Sequence, residues 1–115
     1  MVNDRIEMRV KILTLHAQAG ADRAALADER AKLADFERNV REAEDFTGHP
    51  FERGRAIIQR HDAILRQSER KCGRREQVAA LLEQIAEAKD DTEAGTLRLE
   101  VNRLVAEQTA DEVYQ

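Results

Sequence analysis

Aromatic side chains are nearly missing from this chain, with three Phe, one Tyr and no Trp among 115 residues. A globular core of this length normally draws on more large side chains than Phe36, Phe46, Phe51 and scattered Leu, Ile and Val. Sequence rich in Ala, Glu, Leu and Arg fits long helices or a coiled coil instead. Proline occurs once, at Pro50, so little interrupts a helical backbone. No apolar run approaches the ~18 residues of a membrane span. Charges at Asp4, Arg5, Glu7, Arg9 and Lys11 break up any signal-peptide apolar region. Cys72 is the one cysteine. It forms no intrachain disulfide framework and no cysteine-based metal site, and a cytoplasmic protein is the expectation.

What is present is periodic. Charged residues make up 37 % of the chain and apolar residues 42 %. The apolar ones recur at helical spacing, which argues against full disorder. From Asn3 to Phe46 there is no Pro and only one Gly, Gly20. The expectation is a first helix over about 3–46, capped by Asn3 with Asp4 and Glu7 near its positive end. One register of this helix reads Met8, Ile12, Leu15, Ala19, Asp22, Leu26, Glu29, Leu33, Phe36, Val40 and Ala43. Nine of the eleven are apolar, with the alternating steps of three and four that make a coiled-coil seam. A second register reads Ile6, Val10, Leu13, Ala17, Gly20, Ala24, Ala27, Ala31 and Ala34, all apolar or small. The two stripes lie about 150° apart around the helix. A two-helix hairpin covers only one of them. The second predicts either a third helix of the same chain or self-association.

The stretch "EDFTGHPFERG" (44–54) reads as a corner. Thr47 and Gly48 allow the reversal over 47–49, and Pro50 opens helix 2 at a position where its missing N–H costs nothing. Phe46 and Phe51 are expected to pack across the turn. Helix 2, about 50–89, carries Ile57, His61, Ile64, Ser68, Lys71 or Cys72, Arg75, Val78, Leu82 and Ile85 at heptad spacing. Its middle is polar and contains Gly73, where a bend or break is expected because Gly costs ~1 kcal/mol inside a helix. Helix 2 either runs straight on or stops near Lys89 and restarts as a third helix, about 92–112, with Asp91 or Thr92 as its cap. Its apolar face is Leu97, Val101, Leu104 and Val105.

Charge is segregated. Residues 1–52 carry 8 basic and 11 acidic side chains, 53–75 carry 8 and 2, and 76–115 carry 3 and 10. The basic block is Arg53, Arg55, Arg60, Arg66, Arg70, Lys71, Arg74 and Arg75. Two uses compete for it. It can face phosphates, with Arg66, Arg70, Lys71, Arg74 and Arg75 as the contacts. Or it pairs with the acidic C-terminal segment, which is favoured, because that segment competes with nucleic acid for the same cations.

Chemistry-bearing constellations are sparse. His16, His49 and His61 have no second His or Cys at ligand spacing, so no metal is expected. His61 is assigned to the helix 2 seam. Ser68 is the only serine and has no base beside it. No Gly-rich loop has the strand-to-helix setting of a phosphate cradle. No catalytic residue and no cofactor are assigned.

The corner and the first turns of helix 2 resemble a coiled-coil hairpin segment in the C-terminal parts of large helicase and adenine-methylase-like proteins of phages and plasmids. The matching residues are Gly48, Pro50 and Phe51, then Ile57 and Ile64, within about residues 25–65. The likeness departs at Arg60, where another apolar residue is usual. None of those proteins' catalytic domains lies in these 115 residues, so the resemblance implies an interaction hairpin and no activity. A looser likeness, of architecture alone, is to flagellar and type III secretion stalk proteins.

The sequence therefore predicts an all-α protein. It forms a long antiparallel coiled-coil hairpin with a third helix on the hairpin or on a second subunit. The expected function is non-catalytic: an adaptor, scaffold or inhibitor that presents helical faces to a protein partner or to itself, as a homodimer or higher oligomer. The interface is expected on Ile6 to Ala34. Nucleic-acid association through the basic block and a secretion-stalk role are the alternatives.

Overall fold

The computed structural model describes residues 2–113, with side chains from Arg5 to Val113. It is all-α, with helices α1 (Val2–Thr47), α2 (Glu52–Glu87) and α3 (Asp91–Val113). The expected cap at Asn3, with Asp4 beside it, lies outside the described side chains. The chain divides into two compact units: Met1–Ala21 with Lys71–Gln115, and Asp22–Arg70. We call these the three-helix unit and the two-helix unit.

In the two-helix unit, α1 and α2 pair antiparallel: Glu44 meets Arg55, and Arg30 meets Glu69. The first register of α1 faces inward here. Val40 is buried, and Leu26, Leu33 and Phe36 are half-buried. Glu29 and Ala43 are exposed. In the three-helix unit the buried side chains are Ile12 and Ala19 of α1, Cys72, Ala79 and Ile85 of α2, and Ala94 and Leu104 of α3. Small side chains set the spacing where Ala19, Cys72 and Ala79, each 3 % exposed or less, fill the core.

The corner is built by caps. Gly48 has φ +71°, and its N–H donates to the Glu44 carbonyl at 2.8 Å. A side chain would strain that left-handed conformation, which ends α1 and satisfies one of its last carbonyls. Pro50 does not open α2. The Phe51 carbonyl accepts the first helical bond, from the Arg55 N–H at 3.0 Å, so Phe51 is the cap residue and Pro50 precedes it. Phe51 has no side-chain acceptor of its own. The Glu44 carboxylate serves instead, accepting the Phe51 N–H at 2.8 Å. The expected aromatic contact across the turn does not form as a buried clasp, because Phe46 is 92 % exposed. The corner is closed by polar bonds, which leave that ring nothing to pack into.

Two other expectations change. Gly73 makes no break, since α2 is one helix from Glu52 to Glu87. Half-buried between packed neighbours, it is held by tertiary contacts that outweigh the ~1 kcal/mol propensity cost. The cap of α3 is Asp90, not Asp91 or Thr92. Its carbonyl accepts the Ala94 N–H at 3.2 Å and its carboxylate accepts the Glu93 N–H at 2.7 Å. Those are the two bonds that define an N-cap.

In the three-helix unit the expected seam positions Cys72, Arg75, Val78, Leu82 and Ile85 are buried or half-buried, whereas in the two-helix unit the seam of α2 lies one residue from the expected one. There it runs through Gly54, Ile58, Asp62, Leu65 and Glu69, all buried or half-buried. Ile57, His61, Ile64 and Ser68 are exposed, so His61 is not a seam residue. A shift of one position turns the helix by about 100°. Three features hold the true seam: Gly54 against Val40, Arg30 between two carboxylates, and the small side chains around Cys72.

Candidate protein-interaction surfaces

The second register of α1 faces away from the chain's own packing. In the three-helix unit Ile6, Val10 and Leu13 are 56, 57 and 68 % exposed. Ala17 and Gly20 are exposed as well. A Cβ placed on Gly20 would meet nothing within 4 Å, so no internal contact requires glycine there. In the two-helix unit Ala24, Ala27, Ala31 and Ala34 are exposed. The third helix was one candidate to cover this face, and it does not. α3 packs on α2 instead, where Arg74 reaches Asp111 at 2.7 Å and Gln108 at 2.8 Å.

Electrostatics in the two-helix unit centre on Arg30. Its guanidinium donates to Asp62 at 2.5 Å and to Glu69 at 2.7 Å, with all three side chains about one-third exposed. The Arg30 bonds hold both carboxyls below the usual carboxylate range, and both carboxylates hold Arg30 further above its own. Periodicity counts apolar residues, so it missed this cluster. The available signal was two basic residues seven apart on helix 1, Arg23 and Arg30, against two acids seven apart on helix 2, Asp62 and Glu69.

A pH experiment tests the cluster. Carboxyls depressed in the folded state contribute stability above their unfolded pKa of about 4 and lose it as pH falls through the lower folded values. The urea midpoint should therefore drop on acidification below that point. In Arg30→Met the acid limb should flatten and the midpoint at neutral pH should be lower. Strong salt should narrow the difference, because the cluster is partly solvated. Parallel acid limbs in the two proteins would remove the cluster from the account of stability.

The basic block is largely engaged. Arg55 pairs with Glu44 at 2.6 Å and Arg66 with Asp62 at 2.9 Å. In the three-helix unit Lys71 meets Glu112 at 3.6 Å, and Arg74 meets Asp111 at 2.7 Å and Glu107 at 3.8 Å. Arg70 and Arg75 also have partners. The Gln108 amide, with Lys71 beside it, lowers the Glu112 pKa, while Arg55 and the Phe51 N–H lower that of Glu44. Pairing of the basic block with the acidic C-terminal segment is thus realised for Lys71 and Arg74.

The histidines are dispersed. His16 Nε2 meets Glu83 at 2.6 Å on the surface of the three-helix unit, and His49 and His61 are exposed. Among the described residues no group of three His, Cys, Asp or Glu side chains could hold a metal ion. Among them, too, no helix is long and apolar enough to cross a membrane. Cys72 is 1 % exposed, with its Sγ 3.5 Å from the Ala19 carbonyl and from Glu76. No protein-family model, curated protein or solved structure matches the chain.

Proposed function

We propose that the protein is a non-catalytic helical interaction module, an adaptor, scaffold or inhibitor, that associates with a second copy through the outer face of α1. The observation that carries this is the exposure of Ile6, Val10 and Leu13 in a register with no charged position from Ile6 to Ala34. Burying a large aliphatic side chain contributes roughly 1.5–3 kcal/mol. Association costs about 4–15 kcal/mol in lost freedom. Three such side chains from one copy barely meet that cost, whereas a two-fold interface buries the same three from each copy. The engagement of Lys71 and Arg74 by acidic residues of α3 supports a protein partner over phosphates. A free, buried cysteine fits a cytoplasmic setting.

Sedimentation equilibrium over a broad concentration range tests this. The native chain should populate a dimer or higher oligomer. Val10→Glu with Leu13→Glu should weaken association at least ~100-fold, the equivalent of about 2.7 kcal/mol, with circular dichroism unchanged. A strict monomer at every concentration would sink the self-association.

A further inference from the structure

The Ile57 register of α2 is a second face. In the three-helix unit its continuation is covered by α3, where Val78 lines a groove with Leu104 and Val105. The edge of that contact is Arg74, four residues before Val78, held by Asp111, Glu107 and Gln108 of α3. The same pattern, an Arg four residues before a large aliphatic residue, occurs twice on α2 in the two-helix unit, as Arg53/Ile57 and Arg60/Ile64. There nothing covers it. Ile57 is 46 % and Ile64 51 % exposed. Ile57, His61 and Leu65 line an open groove of about 290 Å³ with Leu33 and Phe36 of α1 and with the ion-paired Glu29 and Lys32. Arg53 and Arg60 are exposed and make no ion pair among the described residues.

We propose that this groove binds an acidic amphipathic helix of a partner protein, its apolar stripe on Ile57, Ile64 and Phe36 and its carboxylates on Arg53 and Arg60. The mode is helix-in-groove recognition. The chain's own α3 is the template, since it supplies an apolar stripe to Val78 and acids to Arg74. A second copy fits the groove poorly. Two-fold pairing of this face would gather Arg53 and Arg60 of both copies, four cations with no acidic partner, in one interface, and like charges across a helix pair are unfavourable. The surface is separate from the outer face of α1, so it stands or falls independently of self-association there.

The probe is a labelled peptide with the sequence of residues 91–113, added to the full chain and followed by fluorescence anisotropy and amide NMR shifts. Binding should perturb Phe36, Ile57 and Ile64 and weaken steeply with salt. Arg53→Glu with Arg60→Glu should reduce affinity at least ~10-fold, a loss of about 1.4 kcal/mol. Both residues are exposed, so the fold should be kept. The Val10→Glu, Leu13→Glu chain should bind as the native one does. Four outcomes would overturn the proposal. One is absence of binding, and another is shifts at Val78 and Leu104 with no response to the arginine reversals, which would mean exchange with the chain's own α3. The third is loss of self-association in Ile64→Glu, which would make a second copy the occupant. The last is displacement of the peptide by single-stranded oligonucleotide at these arginines.

Discussion

Leu104→Ala should cost about 2–5 kcal/mol of folding stability. Leu104 is 4 % exposed and is the one large side chain of α3 that is fully enclosed. Its neighbours on the same stripe do less. Ala94 is small, and Leu97 and Val101 are half-buried. Truncation leaves a void that the helix backbone on either side resists filling. The ion pairs from Arg74 and Lys71 to α3 depend on that docking and, being partly exposed, do not replace it. Against a typical total of about 5–15 kcal/mol, the loss is large. Urea unfolding followed by circular dichroism should show a lowered midpoint. Amide exchange should accelerate first in α3, because its tie to the rest of the chain is the one weakened. Leu104→Met keeps the volume and should cost less than ~1.5 kcal/mol. Equal exchange rates along α3 in native and Ala proteins would show that the helix is held by something else.

Gly54→Leu is the second large effect. Gly54 is buried at the closest approach of α2 to α1 near the corner. A Cβ there would lie 2.9 Å from a Val40 methyl and 2.9 Å from the Phe51 ring. Phe51 is half-exposed and can swing out. Val40 is 4 % exposed and has nowhere to go. Replacing a helical glycine recovers at most ~1 kcal/mol of propensity. Overpacking a filled site costs about 1–3 kcal/mol, and leucine adds three carbons beyond the Cβ that already collides. The net expectation is a destabilised two-helix unit, seen as a lowered urea midpoint and faster amide exchange around Val40 and Ile58. If the variant is as stable as the native chain, the two helices do not need their close approach.

The fates of the two helix registers show what periodicity can and cannot carry. On α1 the buried face follows one of the two apolar registers: Ile12, Ala19 and Val40 are buried, while Ile6, Val10 and Leu13 of the other are exposed. On α2 register and buried face separate. Of the four large aliphatic side chains in its first half, Ile57 and Ile64 are exposed, while Ile58 and Leu65 face the seam with Gly54, Asp62, Glu69 and Cys72. Glycine, cysteine and two acids carry little hydrophobic signal. They face inward because each has a specific counterpart on α1: Val40 for Gly54, Arg30 for both acids, Ala19 for Cys72. A counterpart on another helix leaves no trace in the spacing along one helix.

The amino-acid sequence by itself determined that the chain is helical and reverses at Gly48; the break before α3, capped by Asp90, came from the structure. Propensity and a positive φ are local properties, settled within a few residues. The sequence also determined two apolar faces on α1 and the opposition of a basic middle to an acidic end, since both are matters of order along the chain. Only the tertiary structure decided which face is spent internally. That choice turns on which side chains meet across helices: Ile58 and Leu65, joined by a close glycine contact and a shared arginine, prevailed over Ile57 and Ile64.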